Sequence, residues 1–266
     1  MIKTELERVL PGDIEKRSFE IITEELGDRV LDPENELVIK RVIHTTADFD
    51  YADSLIFSEH AVELAKAAIK EGVRFITDTN MGKSGVNRAA LQKCGCTVDC
   101  FMADEDVAEA AKRLGTTRAC ASMEKAADLG GDCIFAVGNA PTALVRLYEL
   151  IKEGRLKPKL VIGVPVGFVN VVQSKEMILS LPDTPFIVAR GRKGGSNVAG
   201  AICKAPVYQC YRAYCIETKS YYLQERRGID HEFIQHYFGG RRGRGPQEYY
   251  QTDRLGISRI QGGGGC

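Results

Sequence analysis

The stretch Cys133-Ile134-Phe135-Ala136-Val137, followed by Gly138-Asn139-Ala140-Pro141-Thr142, decides the fold. Five apolar residues without alternation read as a strand buried on both faces. Gly138 and Asn139 are turn residues, and Pro141 suits the first turn of a helix reaching about residue 151. The same strand, turn and helix recur outward in both directions. Upstream, 73–77 is a strand before the polar loop 78–85, and 96–102 is the next. Asp104 opens a helix to Leu114, and Thr116 or Thr117 opens another through Leu129. Further back, 54–57 is a short strand, and Ser58 is placed to cap a helix over 59–70. Downstream, 160–164 and 186–189 are strands, with helices after Asn170 and after 191–197. This alternation predicts a three-layer αβα domain with a mainly parallel sheet covered on both faces. Ligands of such sheets sit beyond the carboxyl ends of the strands. The loops 78–85, 138–142, 165–168 and 191–197 all follow strands, so they gather on one edge.

Composition excludes several classes of function. Lysine plus arginine and aspartate plus glutamate both number 36, so the chain lacks the basic excess of a general nucleic-acid binder. No apolar run approaches the roughly 20 residues of a membrane span, and residues 1–7 carry no signal-peptide core, so the expected location is the cytoplasm. Cys94, Cys96 and Cys100 form a cluster, but paired metal-binding knuckles and nearby histidines are missing. Reduced, mostly buried thiols are the expectation.

The N-terminal segment carries the candidate chemistry. Asp13 and Gly27 bound a helix over Ile14–Leu26, with Arg17 and Ser18 early in it. Asp32-Pro33 reads as a second helix start, and Leu37, Val38, Val42 and Ile43 form its apolar stripe. Arg41 and His44 lie three apart and share a face. His44 falls near the last turn, where a helix C-terminus favours a protonated imidazole. Position alone leaves a capping histidine and a proton donor both open.

The loops carry no nucleotide fingerprint. Gly191-Arg-Lys-Gly-Gly-Ser196 matches neither phosphate-binding pattern, and Gly82-Lys83-Ser84 lacks a glycine five residues earlier, where Thr77 stands. Helix starts after glycine-rich loops attract carboxylates, and Arg41, Arg118 and Lys193 could add charge-assisted bonds. A wide ligand with several anionic groups suits these separated points.

Composition changes near residue 207. Residues 210–266 hold nine basic and six acidic residues, against 27 and 30 before them, together with arginine-glycine and glycine runs that form no core pattern. The expectation is a domain boundary at 206/207, with 1–206 folded and 207–266 an atypical, poorly ordered tail; RNA binding by the arginine-glycine segment is the alternative.

Six segments together resemble the precorrin-8X methylmutase family. They are Arg41-Val-Ile-His-Thr-Thr-Ala-Asp-Phe-Asp-Tyr51, Thr77-Asp-Thr-Asn-Met81, Thr117-Arg-Ala-Cys-Ala-Ser122, Val137-Gly-Asn-Ala-Pro-Thr-Ala-Leu144, Gly163-Val-Pro-Val-Gly-Phe-Val169 and Arg190-Gly-Arg-Lys-Gly-Gly-Ser-Asn197. The likeness runs in order from about Ile14 to Ala205, and the His-Thr-Thr-Ala-Asp-Phe form looks more like the cobalt-precorrin-8 branch. The resemblance implies a flavodoxin-like fold and an isomerase of cobalamin biosynthesis. Its reaction moves a methyl group from C-11 to C-12 of a tetrapyrrole, without a cofactor; any cobalt belongs to the substrate. It implies His44 as the catalytic proton donor and acceptor. It also implies substrate contacts at Ser18, Arg41, Asn80, Met81, Arg118, Lys193 and Ser196, and a homodimer with the pocket near the interface. A carrier that binds the corrinoid without converting it would share these anion-binding features and lack only the need for a proton donor. The departure from the family is Pro206, placed where the last helix should continue, and the segment beyond it.

Overall fold

Cys133–Val137 lies inside a six-stranded sheet in a computed structural model that describes residues 6–211. The strands are β1 (Leu55–Phe57), β2 (Arg74–Thr77), β3 (Thr97–Asp99), β4 (Cys133–Val137), β5 (Leu160–Gly163) and β6 (Phe186–Ala189). The helices are α1 (Ile14–Leu26), α2 (Glu36–Thr46), α3 (Tyr51–Ser54), α4 (Ala61–Lys70), α5 (Asn80–Gly85), α6 (Arg88–Lys93), α7 (Glu105–Leu114), α8 (Arg118–Leu129), α9 (Pro141–Lys152), α10 (Val171–Leu179) and α11 (196–211).

The sheet order is β1-β6-β5-β4-β2-β3. Strands β2 to β6 are parallel, in the doubly wound flavodoxin-like order, and β1 adds an antiparallel edge against β6. Every residue of β4 and β5 is buried, which accounts for their unbroken apolar runs. Side chains still alternate. Ile134, Ala136, Leu160 and Ile162 face a core shared with α1, α2, α4 and α11. Cys133, Phe135, Val137 and Val161 face the core made with α8, α9 and α10.

Several local expectations change. Ser58 does not cap α4; its hydroxyl accepts the Phe186 N–H (2.9 Å) and so pins the β1 end to β6. Asp32 holds a turn, accepting from the Glu34 N–H (3.0 Å), and α2 begins only at Glu36. The segment 80–85 is a short helix rather than a loop, because the Thr79 hydroxyl accepts the Gly82 N–H (2.9 Å) and caps it.

The proposed boundary at 206/207 is also corrected. Helix α11 continues through Pro206 to residue 211. Val207 and Cys210 are buried in the core, and the Tyr208 hydroxyl accepts from Asn87 Nδ2 (3.1 Å). Proline removes one helical N–H and crowds the preceding turn, but the apolar stripe through Ile202, Ala205 and Cys210 keeps the helix on the core. The expectations for 212–266 lie outside the described residues.

Candidate active site

The order of parallel strands reverses between β2 and β4, the point where such folds open a crevice for ligand. Here the chain fills that point with its own carboxylate. Asp78, one residue past β2 and 1 % exposed, accepts the N–H groups of Gly138 (2.9 Å), Asn139 (2.8 Å) and Ala140 (2.7 Å). Burial pushes this carboxyl up, and the three N–H donors pull the other way. The N–H groups at the start of α9, which on sequence grounds were free to bind a ligand anion, are thereby satisfied from within.

Two further loops close over this bridge. A Cβ on Gly138 would stand 2.7 Å from Ser196 Cα and 2.8 Å from Gly195 O, so only glycine lets the β4 and β6 loops meet. The Gly195 N–H donates to Val164 O (2.8 Å), and Ser196 Oγ bonds Thr79 Oγ1 (2.7 Å). Ser196 therefore borders Asn80 and Met81 at the start of α5. Asn80 is exposed, and Met81 is 68 % exposed. The loops expected to share an edge do so.

His44 occupies the last turn of α2, which ends on Ala47 in the left-handed conformation. The imidazole is exposed and meets the Phe19 ring edge-on, centroids 5.7 Å apart. It is a ligand-accessible group, and its ring contact is a perpendicular one with Phe19. Arg41, one turn earlier, is nearly covered. Its guanidinium lies over Phe19 (5.3 Å) and Tyr208 (5.2 Å) and donates to Glu15 Oε1 (2.7 Å) and Oε2 (3.3 Å). Its buried Nε has no hydrogen-bond partner. Ser18, beside Phe19, donates to Ile14 O (2.8 Å).

Lys193 joins the two regions. Its ammonium donates to Asp48 Oδ2 (2.7 Å) and Asp50 Oδ2 (2.6 Å), in the turn just beyond α2. The hydrogen bonds to Asp48 and Asp50 push the lysine up, and the Asp48 carboxyl is held below its usual range by the same contact. Contacts and chain adjacency together lead from Ser18–Phe19 through His44 and the 48–50 turn to Lys193, Ser196 and, beside Thr79, Asn80–Met81. Arg118 stands outside that run. It is exposed at the start of α8, whose cap Thr117 bonds the Thr142 hydroxyl (2.9 Å) at the start of α9.

Sequence reasoning passed over Asp78, Phe19, Glu15, Tyr208 and Lys175. Lys175 had a signal: it falls on the buried stripe of α10 with Val171 and Ile178. The partners of Asp78 lie about 60 positions away, so spacing could not reveal them.

Concavities of about 300 Å³ beside β3 and about 640 Å³ between α7 and α8 include none of the candidate residues. The candidate edge is open, and beside it stand Val166 (49 % exposed), Phe168 (83 %) and Val169 (80 %). Among the described residues no group of three histidine, cysteine or acidic side chains is placed to hold a metal, and Cys96, at the centre of the expected thiol cluster, is pushed up to about 12 by burial. No described helix is long and apolar enough to cross a membrane.

Comparison with known proteins gives the family of the chain. Residues 13–209 match the family model described as precorrin-8X methylmutase. The cobalt-precorrin-8 methylmutase of Priestia megaterium is 47 % identical over 197 residues, covering 74 % of this chain and 87 % of that protein. The cobalt-precorrin-8 methylmutase of Leptospira interrogans is 44 % identical over 203 residues, covering 74 % and 92 %. The crystal structure of the precorrin-8x methyl mutase from Thermus thermophilus superposes with a TM-score of 0.68 at 38 % identity, covering 76 % of this chain and 98 % of that one. The chain belongs to the precorrin-8X methylmutase family.

Proposed function

We propose that the protein is an isomerase that moves a methyl group from C-11 to C-12 of a precorrin-8 macrocycle, with His44 as proton donor and acceptor. The observation that carries this reading is an exposed imidazole at the end of α2, tied through the 48–50 turn and Lys193 to a polar strand-end edge. The macrocycle would lie against that edge. A proton given by His44 to the ring system withdraws electrons and makes the neighbouring carbon a better terminus for the methyl group. The methyl migrates with its bonding pair, and the imidazole recovers a proton as the ring system relaxes. Nothing is oxidised or reduced, so no redox cofactor is required. Two of the relatives carry the name cobalt-precorrin-8 methylmutase, which supports cobalt as part of the substrate.

The carboxylates of the substrate have several candidate partners. Exposed Asn80, Arg118 and Lys193 are open to them. Arg41 reaches a carboxylate only by exchanging Glu15 for it, so Glu15 occupies in the free protein the place a substrate carboxylate would take. A second copy of the chain is the reading that suits the open edge: a homodimer would cover Phe168 and Val169 and enclose the ring. Light scattering should then give about twice the chain mass of 29.3 kDa.

Cobalt-precorrin-8 and precorrin-8, mixed separately with the protein and followed by absorbance, test the reaction. The expected result is conversion, faster with the cobalt form. Unchanged spectra with both would reject the assignment.

A further inference from the structure

Lys175, on α10, is 0 % exposed. A buried ammonium is costly unless its donors are taken up. Here Nζ donates to two main-chain oxygens, Gly191 O and Lys193 O, both at 2.8 Å. Burial pulls the group down to about 8. An apolar residue would cost less at this point of the helix, since Val171 and Ile178 on the same stripe are buried. What the lysine adds is a grip on the backbone on either side of Arg192.

That grip continues toward His44. Lys193, whose carbonyl Lys175 holds, donates from its own ammonium to Asp48 (2.7 Å) and Asp50 (2.6 Å). The Asp50 N–H donates to Asp48 Oδ1 (3.0 Å), which makes the turn one unit. The turn leaves α2 at Ala47, whose N–H returns to Ile43 O (2.7 Å), the residue before His44. At its far end the loop is held by the Gly195 N–H on Val164 O (2.8 Å).

We propose that Lys175 is a positioning residue for the isomerisation: it sets the main chain at 191–193 so that Lys193 fastens the turn beyond His44. The proposal rests on the reading of His44 as the proton donor, and its test separates the two.

Amide hydrogen exchange on the ligand-free protein needs no substrate. In Lys175→Met, exchange should rise about tenfold or more at 193–195 and also at 48–50, because the loop loses its buried anchor. Faster exchange confined to 191–195 would overturn the proposal and leave Lys175 a local staple. In turnover, Lys175→Met should convert substrate about tenfold more slowly while its affinity for the corrinoid changes less than about threefold. Adding Asp48→Ala, which removes the acceptor of both Lys193 and the Asp50 N–H, should cost little more, since both substitutions cut one connection. Parental turnover in Lys175→Met, or losses that multiply in the double variant, would also overturn it. Gly191 is half-buried and Lys193 exposed, so their carbonyls can turn to water and the variant is expected to fold. Should it fail to, Lys193→Met alone carries the test, and unchanged exchange at 48–50 in that variant would overturn the proposal. If the parent protein converts neither substrate, the assigned reaction fails while the exchange result still stands on its own.

Discussion

At the carboxyl ends of β2 and β4, polar groups are turned inward: Asp78 accepts three N–H groups, Ser196 meets Thr79, and Gly138 lets two loops touch. At the end of α2 the arrangement is reversed. His44 is exposed against an aromatic edge, and the turn beyond it is held by ion pairs on an exposed lysine. The first region resists change because each loss leaves a buried group without a partner. The second leaves its imidazole accessible, and exposed ion pairs contribute little stability. On the proposed reading, a platform fixed by buried hydrogen bonds beside an exposed imidazole would let a large ligand be held firmly and still be reached by a proton.

Four outcomes would break or sharpen this contrast. The largest effect is expected for His44→Ala, which should lower conversion by about a hundredfold or more while corrinoid binding and melting temperature stay near parental. Normal turnover by that variant would remove the chemistry from the α2 corner. Asp78→Asn should do the opposite, destabilising the fold by about 3 kcal/mol because an amide NH2 would face N–H donors. A denaturant midpoint equal to the parent's would show that the bridge is dispensable. Gly138→Ala should cost about 1–3 kcal/mol by forcing the β4 and β6 loops apart; calorimetry of the variant measures it.

The last outcome is a slope with pH rather than a fixed loss. Burial pushes the Cys96 and Cys203 thiols up to about 12 from an ordinary 9.0. The folded chain therefore holds more protons than the unfolded one between about pH 9 and 12, and stability falls as pH rises through that window, by about 1.4 kcal/mol per pH unit for each thiol. Lys175 works against this. Its folded value near 8 lies below the ordinary 10.5, so between those pH values the unfolded chain holds more protons and the group's contribution rises with pH. Denaturant unfolding of Cys203→Ala between pH 8 and 11 should show a shallower decline than the parent. An identical decline would mean that Cys203 titrates the same way in both states.

Much of the fold was legible because it rests on local pattern. The strand at 133–137, the cap at Thr117 and the helix over Ile14–Leu26 follow from apolar runs, hydroxyls and glycines within a few positions of each other. Ser58 and Asp32 were misread for one reason: each is a competent cap, but its hydrogen bonds go to β6 and to a local turn. Pro206 misled because a local rule was outweighed by tertiary burial of the helix around it. In the candidate site, His44, Arg41, Lys193 and Ser196 stood in recognisable segments, yet their surroundings did not. Arg41 looked like a free cation and is held against Glu15 and over two rings, one of them a tyrosine placed beyond the expected boundary.

The amino-acid order by itself determined the alternating elements, the parallel sheet, the edge on which the loops collect and the family to which the segments point. These depend on period and spacing, which act over a few residues. Only the tertiary structure decided which polar groups were already spoken for. Asp78 fills the crevice at the strand reversal, and Glu15 holds Arg41. Lys175 grips the loop that ties the turn after His44 to the platform. Each of these depends on a partner brought close by the packing of the sheet and its helices, and a hydrogen bond formed that way leaves no periodic trace along the chain.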